Sequence, residues 1–350
     1  MQHPSLWGAN QNLLRCLPTS PCKWWRPSIS LPYLVADIGG TNARFALASS
    51  KPAQICDVIS LRCIDFASPL EAAQAYLQQM ALAPGTIRRA AFAVATAVNG
   101  DSIKLTNSSW SFERNQFRRA LGLDQLQIFN DFEALAYALP GLATSDFHLI
   151  GTALPQSGLP MVAVGPGTGL GVAAVIPSHC GWIAVPGEGG HATLAAVDDF
   201  EAEILKAARQ EYQHISAERL LSGIGLPVLL RAVCAVQGLA AINFSPEEIS
   251  ALGVNNRHPQ CRTAMELFFA FLGGFAGNLA LSFGARGGVF IGGGITPQVQ
   301  DFLVSSQFRE RFEGKGRFQP YLAGIATATL TAQHLTLRGL ACTLENTAAD

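Results

Sequence analysis

Three short stretches carry residue types that handle phosphate. In Asp37-Ile38-Gly39-Gly40-Thr41-Asn42 an acid closes an apolar run, then come two glycines whose bare backbone can approach an anion, then hydroxyl and amide donors. The acid would repel phosphate, but it could hold the hydration shell of a Mg²⁺ that neutralises it. An ordinary hairpin turn that starts with Asp is the competing reading. Gly165-Pro166-Gly167-Thr168-Gly169-Leu170-Gly171 is a second such turn, and Gly292-Gly293-Gly294 is a third glycine run. The second turn contains a formal G-x-G-x-x-A at Gly169, Gly171 and Ala174. A dinucleotide fingerprint needs a helix after its glycines, however, and VAAVIPS is rich in strand formers and ends in proline. Neither turn is a Walker A loop, because no G-K-[ST] follows.

Carboxylates and one imidazole form the other chemical set. Phe129-Asn130-Asp131-Phe132 puts an acid directly after an apolar run and at the head of the helical pattern EALAYAL, where an acid at a helix start is commonplace and Asp131 would be structural as an N-cap. Pro186-Gly187-Glu188-Gly189-Gly190-His191 sets a carboxylate and an imidazole three apart on a glycine-rich loop, which suits adjacent hydroxyls of a polyol; a metal pair is the rival reading, with only His179 and Cys180 as further ligands. Ser216-Ala217-Glu218-Arg219 is expected to open a helix with Ser216 as N-cap. Glu218 is then either a first-turn charge or a third polyol ligand.

These residues need a scaffold of strands and helices to converge. YLVADI from Tyr33 and ARFALA from Ala43 read as two strands of a hairpin with Gly39-Gly40 at the turn. A helix is expected at about 69 to 82, then strands at AAFAVA from Ala90 and LQIF from Leu126. After Pro140-Gly141 the theme restarts with MVAVG from Met161, the glycine turn and VAAVI, a weak internal duplication of the first hairpin. Helical patterns follow at about 198 to 213, 216 to 237 and 260 to 285, and GGVFI at 287 to 291 is a last strand. Two α/β halves are the economical arrangement.

Composition narrows the function classes. With 350 residues, 49% hydrophobic and only 14% charged, the chain has material for a large core and is not disordered. Lys plus Arg is 24 against 25 Asp plus Glu, and no basic run tracks a phosphate backbone, so nucleic acid is not expected as a partner. The eight cysteines include no C-x-x-C, which argues against a zinc ribbon or a disulfide framework and for reduced thiols in cytosol. Leu267 to Ala285 is uncharged over nineteen residues, but Gly273, Gly274, Gly277, Asn278 and Gly284 interrupt it. It reads as a buried core helix whose glycines let a neighbouring backbone approach, with a membrane segment as the rival. Residues 1 to 30 have four prolines, no apolar h-region and no period, and read as a mobile extension rather than a secretory signal.

Taken together the chain resembles the bacterial glucokinase family, the type without the zinc motif, in the hexokinase and actin-like ATPase superfamily. The likeness spans about residues 33 to 340 and rests on eight ordered segments: LVADIGGTNARFAL, TNSSW at 106 to 110, NDFEALAYALP, GPGTGLGVA, PGEGGH, SAERLLSGIGL, LSFGARGGVFIGGGI and FEGKGRF. It implies a two-domain α/β actin-like (ribonuclease H-like) fold. A smaller domain would span 31 to 140, with a C-terminal helix at about 325 to 345 packed back on it, and a larger one 141 to 324. The cofactors implied are ATP and Mg²⁺, the substrate glucose, the site an interdomain cleft, the location the cytoplasm and the assembly a homodimer.

Carried over by position, Asp131 resembles the general base that takes the proton of the sugar 6-hydroxyl, and Asn130, Asp131, Glu188, His191 and Glu218 resemble the glucose ligands. Asp37, Gly39, Gly40, Thr41 and Asn42 resemble the first phosphate segment, Asp37 reaching Mg²⁺ through water. Gly167, Thr168 and Gly169 resemble the second segment, and the Gly292 to Gly294 run, with Gly293 and Gly294 in contact, the adenosine segment. Ala97 in Ala95-Thr96-Ala97-Val98 stands where the family usually has proline, and the zinc-binding cysteine cluster of the related repressor and kinase group is absent. A non-catalytic sugar sensor, a kinase for another hexose and an NAD enzyme are the competing functions.

Overall fold

The structure, a computed structural model, describes residues 33–50, 53–83, 85–98, 100–105 and 110–346. The expected extension at 1 to 30 and residues 106–109 of the TNSSW segment lie outside these. In chain order the first half holds β1 (Tyr33–Ile38), β2 (Asn42–Ser50), β3 (Ala53–Arg62), α1 (Pro69–Gln79), β4 (Arg89–Val94), β5 (Ser102–Lys104), β6 (Ser111–Glu113), α2 (Arg114–Ala120), β7 (Gln125–Asn130) and α3 (Asp131–Ala138). The second holds β8 (Phe147–Ile150), β9 (Met161–Pro166), β10 (Leu170–Ser178), β11 (Gly181–Gly187), α4 (Asp199–Ala208), α5 (Leu226–Val236), α6 (Pro246–Val254), α7 (Pro259–Phe283), β12 (Gly288–Ile291), α8 (Gln300–Ser305), α9 (Phe308–Glu313), α10 (Gln319–Ala323) and β13 (Thr327–Leu330). Helix α11 (Leu335–Asn346) ends the series.

The duplication is real at the level of topology. The first sheet has the order β3-β2-β1-β4-β7 and the second β11-β10-β9-β12-β13-β8. In each, three strands meander antiparallel and two more join in parallel. The central strands are apolar throughout because both faces are covered, as in YLVADI and MVAVGP. Register aligns the carboxyl ends: Ile38 pairs with Val94 and Val94 with Asn130 in the first sheet, and Val164 with Ile291 and Ile291 with Thr329 in the second. At about 4.8 Å between strands, the backbones that carry Asp37 and Asp131 stand about 10 Å apart on one edge. Open α/β sheets bind ligands at such carboxyl edges.

The long apolar stretch is a core helix. Helix α7 is largely buried, among Ile204, Leu229, Phe302 and Phe312 of the second half. A Cβ at Gly273 would run into the Phe308 carbonyl, and one at Gly277 would lie 2.5 Å from the Phe312 carbonyl, so these glycines let α9 pack backbone against backbone. Gly284 closes the helix in the left-handed conformation at φ 59°.

Two expectations change. The helix expected over 216 to 237 forms only from Leu226, since Gly223 and Gly225 precede it and Pro227 belongs in its first turn; 216 to 225 is a chain of turns. The stretch expected as one helix from about 325 to 345 divides into strand β13 and, from Leu335, helix α11. The formal G-x-G-x-x-A falls on β10 with Ala174 in mid-strand, as the strand formers of VAAVIPS implied. Helix α11 covers one face of the first sheet, where Leu337, Leu340, Ala341 and Leu344 bury Val35, Ala46 and Ala91. Helix α3 lies between the halves: Leu135 and Ala138 pack with Ala163, Ala173 and Phe290 of the second sheet, and Ala134 packs with α11. Gly339 permits that crossing, because a Cβ there would strike the Ala134 carbonyl.

Candidate active site

Asp131 is the first residue of α3, and it is not the cap. Asn130 caps the helix: its Oδ1 accepts the N–H groups of Phe132 at 2.9 Å and Glu133 at 3.4 Å, while Glu133 Oε2 accepts the Asn130 N–H at 3.3 Å. The Asp131 carboxylate does not cap the helix; its Oδ1 accepts the Phe132 N–H at 2.9 Å, and the Asn130 side chain also hydrogen-bonds to it. Burial, with the nearby Asp37 charge adding to it, pushes its carboxyl up to about 6 from the ordinary 3.8. Asn130 Nδ2 donates to the Thr96 carbonyl at 3.3 Å, in the loop where Ala97 stands in the proline's place. The Asn130 amide thus positions the loop as well as the helix.

The first glycine turn joins β1 to β2 tightly. Gly39 N–H donates to the Asn42 carbonyl at 3.0 Å, and Cys63 backs the turn through its N–H on the Thr41 carbonyl at 2.8 Å. Thr41 is exposed at the tip and Gly40 and Asn42 flank it, half-buried. Asp37 sits below with Arg44 Nη1 donating to its Oδ2 at 3.2 Å; burial raises its pKa, and Arg44 opposes that rise. Asp37, Arg44, Gly292, Gly293 and the 331–336 segment line a cleft of about 420 Å³. Arg44 and His334, the latter held at φ 59°, were not among the expected site residues; only their place in the fold reveals them.

The second turn is built differently. Gly167 N–H donates to the Gly169 carbonyl at 2.8 Å, with Thr168 exposed between them. Glu218 lies against it: its Oε2 accepts the Leu170 N–H at 2.9 Å, and a Cβ at Gly169 would collide with that oxygen. His191 Nδ1 is 3.7 Å from Glu218 Oε1, so the structure brings His191 and Glu218 together. Ser216 caps only a turn, its Oγ accepting the Arg219 N–H at 3.3 Å, and the reading of Glu218 as a first-turn helix charge fails with the missing helix. Glu188 is exposed just after Gly187, which pairs with Val172 of β10. Among the described residues no three His, Cys, Asp or Glu side chains gather as a metal-binding set, so Glu188 and His191 lack a third ligand.

The third glycine run locks onto the second turn. Gly292 N–H donates to the Val164 carbonyl at 2.9 Å, and Gly293, at φ 84°, presses so closely on Pro166 that a Cβ would overlap its carbonyl. Gly294 is exposed with open space where a Cβ would point. Phe132, which the sequence reading passed over as a helix residue, fills the space beneath the second turn. A Cβ at Gly165 would lie 2.5 Å from its Cζ, and one at Gly171 would fall inside its ring edge. A further cavity of about 430 Å³ lies among α4, α7, α8 and α9, but it holds none of these residues. Its charges Arg262–Glu266 and Arg311–Glu201 already pair with each other.

Residues 34–347 match the family model described as Glucokinase. The chain is 48% identical over 301 residues to a glucokinase of Paramagnetospirillum magneticum, covering 85% of this chain and 92% of that one. It is 44% identical over 313 residues to a glucokinase of Chromobacterium violaceum, covering 89% of each. Among solved structures it is similar to a glucokinase from an Antarctic psychrotroph, at 36% identity and a TM-score of 0.83, covering 91% of this chain and all of the other.

Proposed function

From the premise that the chain belongs to the glucokinase family, an enzyme family that phosphorylates glucose, we propose that it transfers the γ-phosphoryl group of ATP to the 6-hydroxyl of glucose with Asp131 as general base. The observation that carries the assignment of the base is that Asn130 takes the cap, leaving Asp131 a half-buried carboxylate of raised pKa on the edge that faces the glycine turns. The O6–P bond forms as the bridging P–O bond to ADP breaks, and the proton of the hydroxyl passes to Asp131 and then to solvent. A carboxyl near 6 is ionised at neutral pH and still basic enough to help. Most of the remaining work is alignment and charge neutralisation. With the Gly39 and Gly167 N–H groups already bonded within their turns, the other backbone N–H groups of Gly40–Asn42 and Thr168–Gly169 would hold phosphate oxygens, and Gly293 and Gly294 leave room for the nucleoside. Asn130, Glu188, His191 and Glu218 would orient the sugar hydroxyls.

Mg²⁺ bound with ATP would neutralise the phosphates. The donor set fits one held through water: among the described residues Asp37 Oδ2 has Arg44, its other oxygen has no protein donor, and no cage of three ligands competes for the ion. We read 31 to 140 with the C-terminal helix and 141 to 324 as two domains that close on the sugar, with α3 facing both. Cytosolic residence accords with the free thiols of Cys63, Cys180, Cys234 and Cys261, and a homodimer accords with the family.

The test is a coupled assay of glucose-dependent ATP consumption with identification of the product. Polar groups left unpaired by a missing or inverted hydroxyl once the cleft closes on the sugar cost about 1–3 kcal/mol each, so glucose should exceed galactose and mannose by at least ~10-fold in kcat/KM. A preference for fructose or N-acetylglucosamine would leave a sugar kinase but not a glucokinase.

A further inference from the structure

Gly165 and Gly171 face each other across the β9–β10 ladder, directly below the turn that carries Gly167 to Gly169. Neither has a positive φ, so neither is needed for backbone freedom. What glycine supplies at both is the missing Cβ, and the same ring takes both spaces: Phe132 Cζ and Cε1 over Gly165, Phe132 Cγ, Cδ2 and Cε2 over Gly171. At Gly171 every near atom belongs to that ring. Phe132 is also the residue next to Asp131, and its N–H holds Asp131 Oδ1 at 2.9 Å.

We infer that Phe132 is a positioning residue, a ring seated in a two-glycine socket that sets the spacing between the proposed base Asp131 and the second phosphate turn. The inference rests on the glucokinase reading and adds a residue to it. Helix α3 follows β7 of the first sheet, yet this contact and the packing of Leu135 and Ala138 attach it to the second. Asp131 is therefore held in register with Gly167–Gly169, the turn proposed to hold the transferred phosphoryl group. A shift of even 1 Å in such a register costs on the order of 10²-fold in rate.

A four-way comparison of wild type, Gly171→Ala, Phe132→Leu and the double variant tests this, each measured for kcat, both KM values and Tm. Alanine is conformationally allowed at 171, so Gly171→Ala should act by lifting the ring, lowering kcat by ~30-fold or more while glucose KM changes less than threefold. Phe132→Leu alone should lower kcat less, by ~3–10-fold. The leucine leaves room for the alanine methyl, so the double variant should regain at least ~5-fold in kcat over Gly171→Ala. A contact that matters only for folding would move Tm with no kcat rescue. Equal or lower kcat in the double variant, or additive losses, would overturn the inference while an active wild type upheld the functional reading. A wild type inactive on glucose would instead overturn that reading, and this inference with it.

Discussion

The two glycine turns occupy equivalent places in equivalent sheets, each joining the central strand to its antiparallel neighbour, but they use glycine for opposite purposes. In the first turn a Cβ at Gly39 would meet only the Asn42 carbonyl of the same turn, at 3.3 Å. The side chain that reaches this turn, Cys63, contacts the Gly39 carbonyl through Sγ at 3.5 Å rather than the space where a Gly39 Cβ would point. In the second, Phe132 enters over Gly165 and Gly171 and Glu218 over Gly169, while only Gly167 points into open space. One turn is an open cradle; the other is a socket for Glu218, proposed to bind sugar, and for Phe132, the neighbour of the proposed base.

The hardest break between cradle and socket is Asp131→Asn, since the carboxylate stands on the edge between them. Turnover should fall by at least ~10²-fold with glucose affinity nearly unchanged, and a variant keeping more than about a third of wild-type kcat would remove Asp131 as the base. Asp37→Ala, on the cradle side, should lower kcat by ~10-fold or more and weaken the Mg·ATP dependence while sparing glucose KM. It should also move the acid limb of kcat downward, because the Asp37 charge contributes to the raised Asp131 pKa. Gly169→Ala should displace Glu218 and raise glucose KM by ~10-fold, and ATP KM with it, because that carboxylate touches both the His191 side and the turn. For the same reason Glu218→Gln should disturb both substrates, whereas Glu188→Gln should act on glucose alone.

The pH profile sharpens the picture further. With Asp131 near 6, kcat should drop about tenfold from its plateau by pH 5. Stability runs the other way. A carboxyl whose pKa is raised on folding binds its proton more tightly in the folded state, so its contribution is full below about 3.8 and is lost as pH rises through about 6. Asp131→Asn should therefore stabilise the fold above pH 7, by at most about 3 kcal/mol, with the gain fading below pH 4, as denaturant unfolding at the two pH values would show. The smallest effect belongs to Gly167→Ala: a Tm within about 1 °C of wild type, since no protein atom lies where the methyl would go, with a few-fold rise in ATP KM.

Much of the frame was legible because the strands are periodic and the turns are glycine-rich. The hairpins at Asp37–Asn42 and Gly165–Gly171 and the core helix α7 were readable from pattern alone. The helix expected at 216 failed for a local reason, the Ser222-Gly223-Ile224-Gly225-Leu226-Pro227 run, which carries its own stop and start. Strand β13 was missed because the helix at about 325 to 345 came from the resemblance alone, and the four residues Thr327-Ala328-Thr329-Leu330 are too short to give a periodic signal of their own. The socket could not be read at all, because a glycine that leaves room for ligand and one that leaves room for phenylalanine are the same letter. Only the return of α3 against β9 and β10 separates them.

The cover that α11 gives the first sheet has a consequence for biosynthesis. Strands β1, β2 and β4 leave the ribosome early, but the side chains that seal one of their faces, Leu337 to Leu344, come at the end of the chain. About 250 residues separate β4 from that seal, and at ~5–20 residues per second the ribosome needs roughly 10–50 s to add them. Any folding of the first sheet before α11 is made would leave Val35, Ala46 and Ala91 without the leucines that bury them in the finished fold.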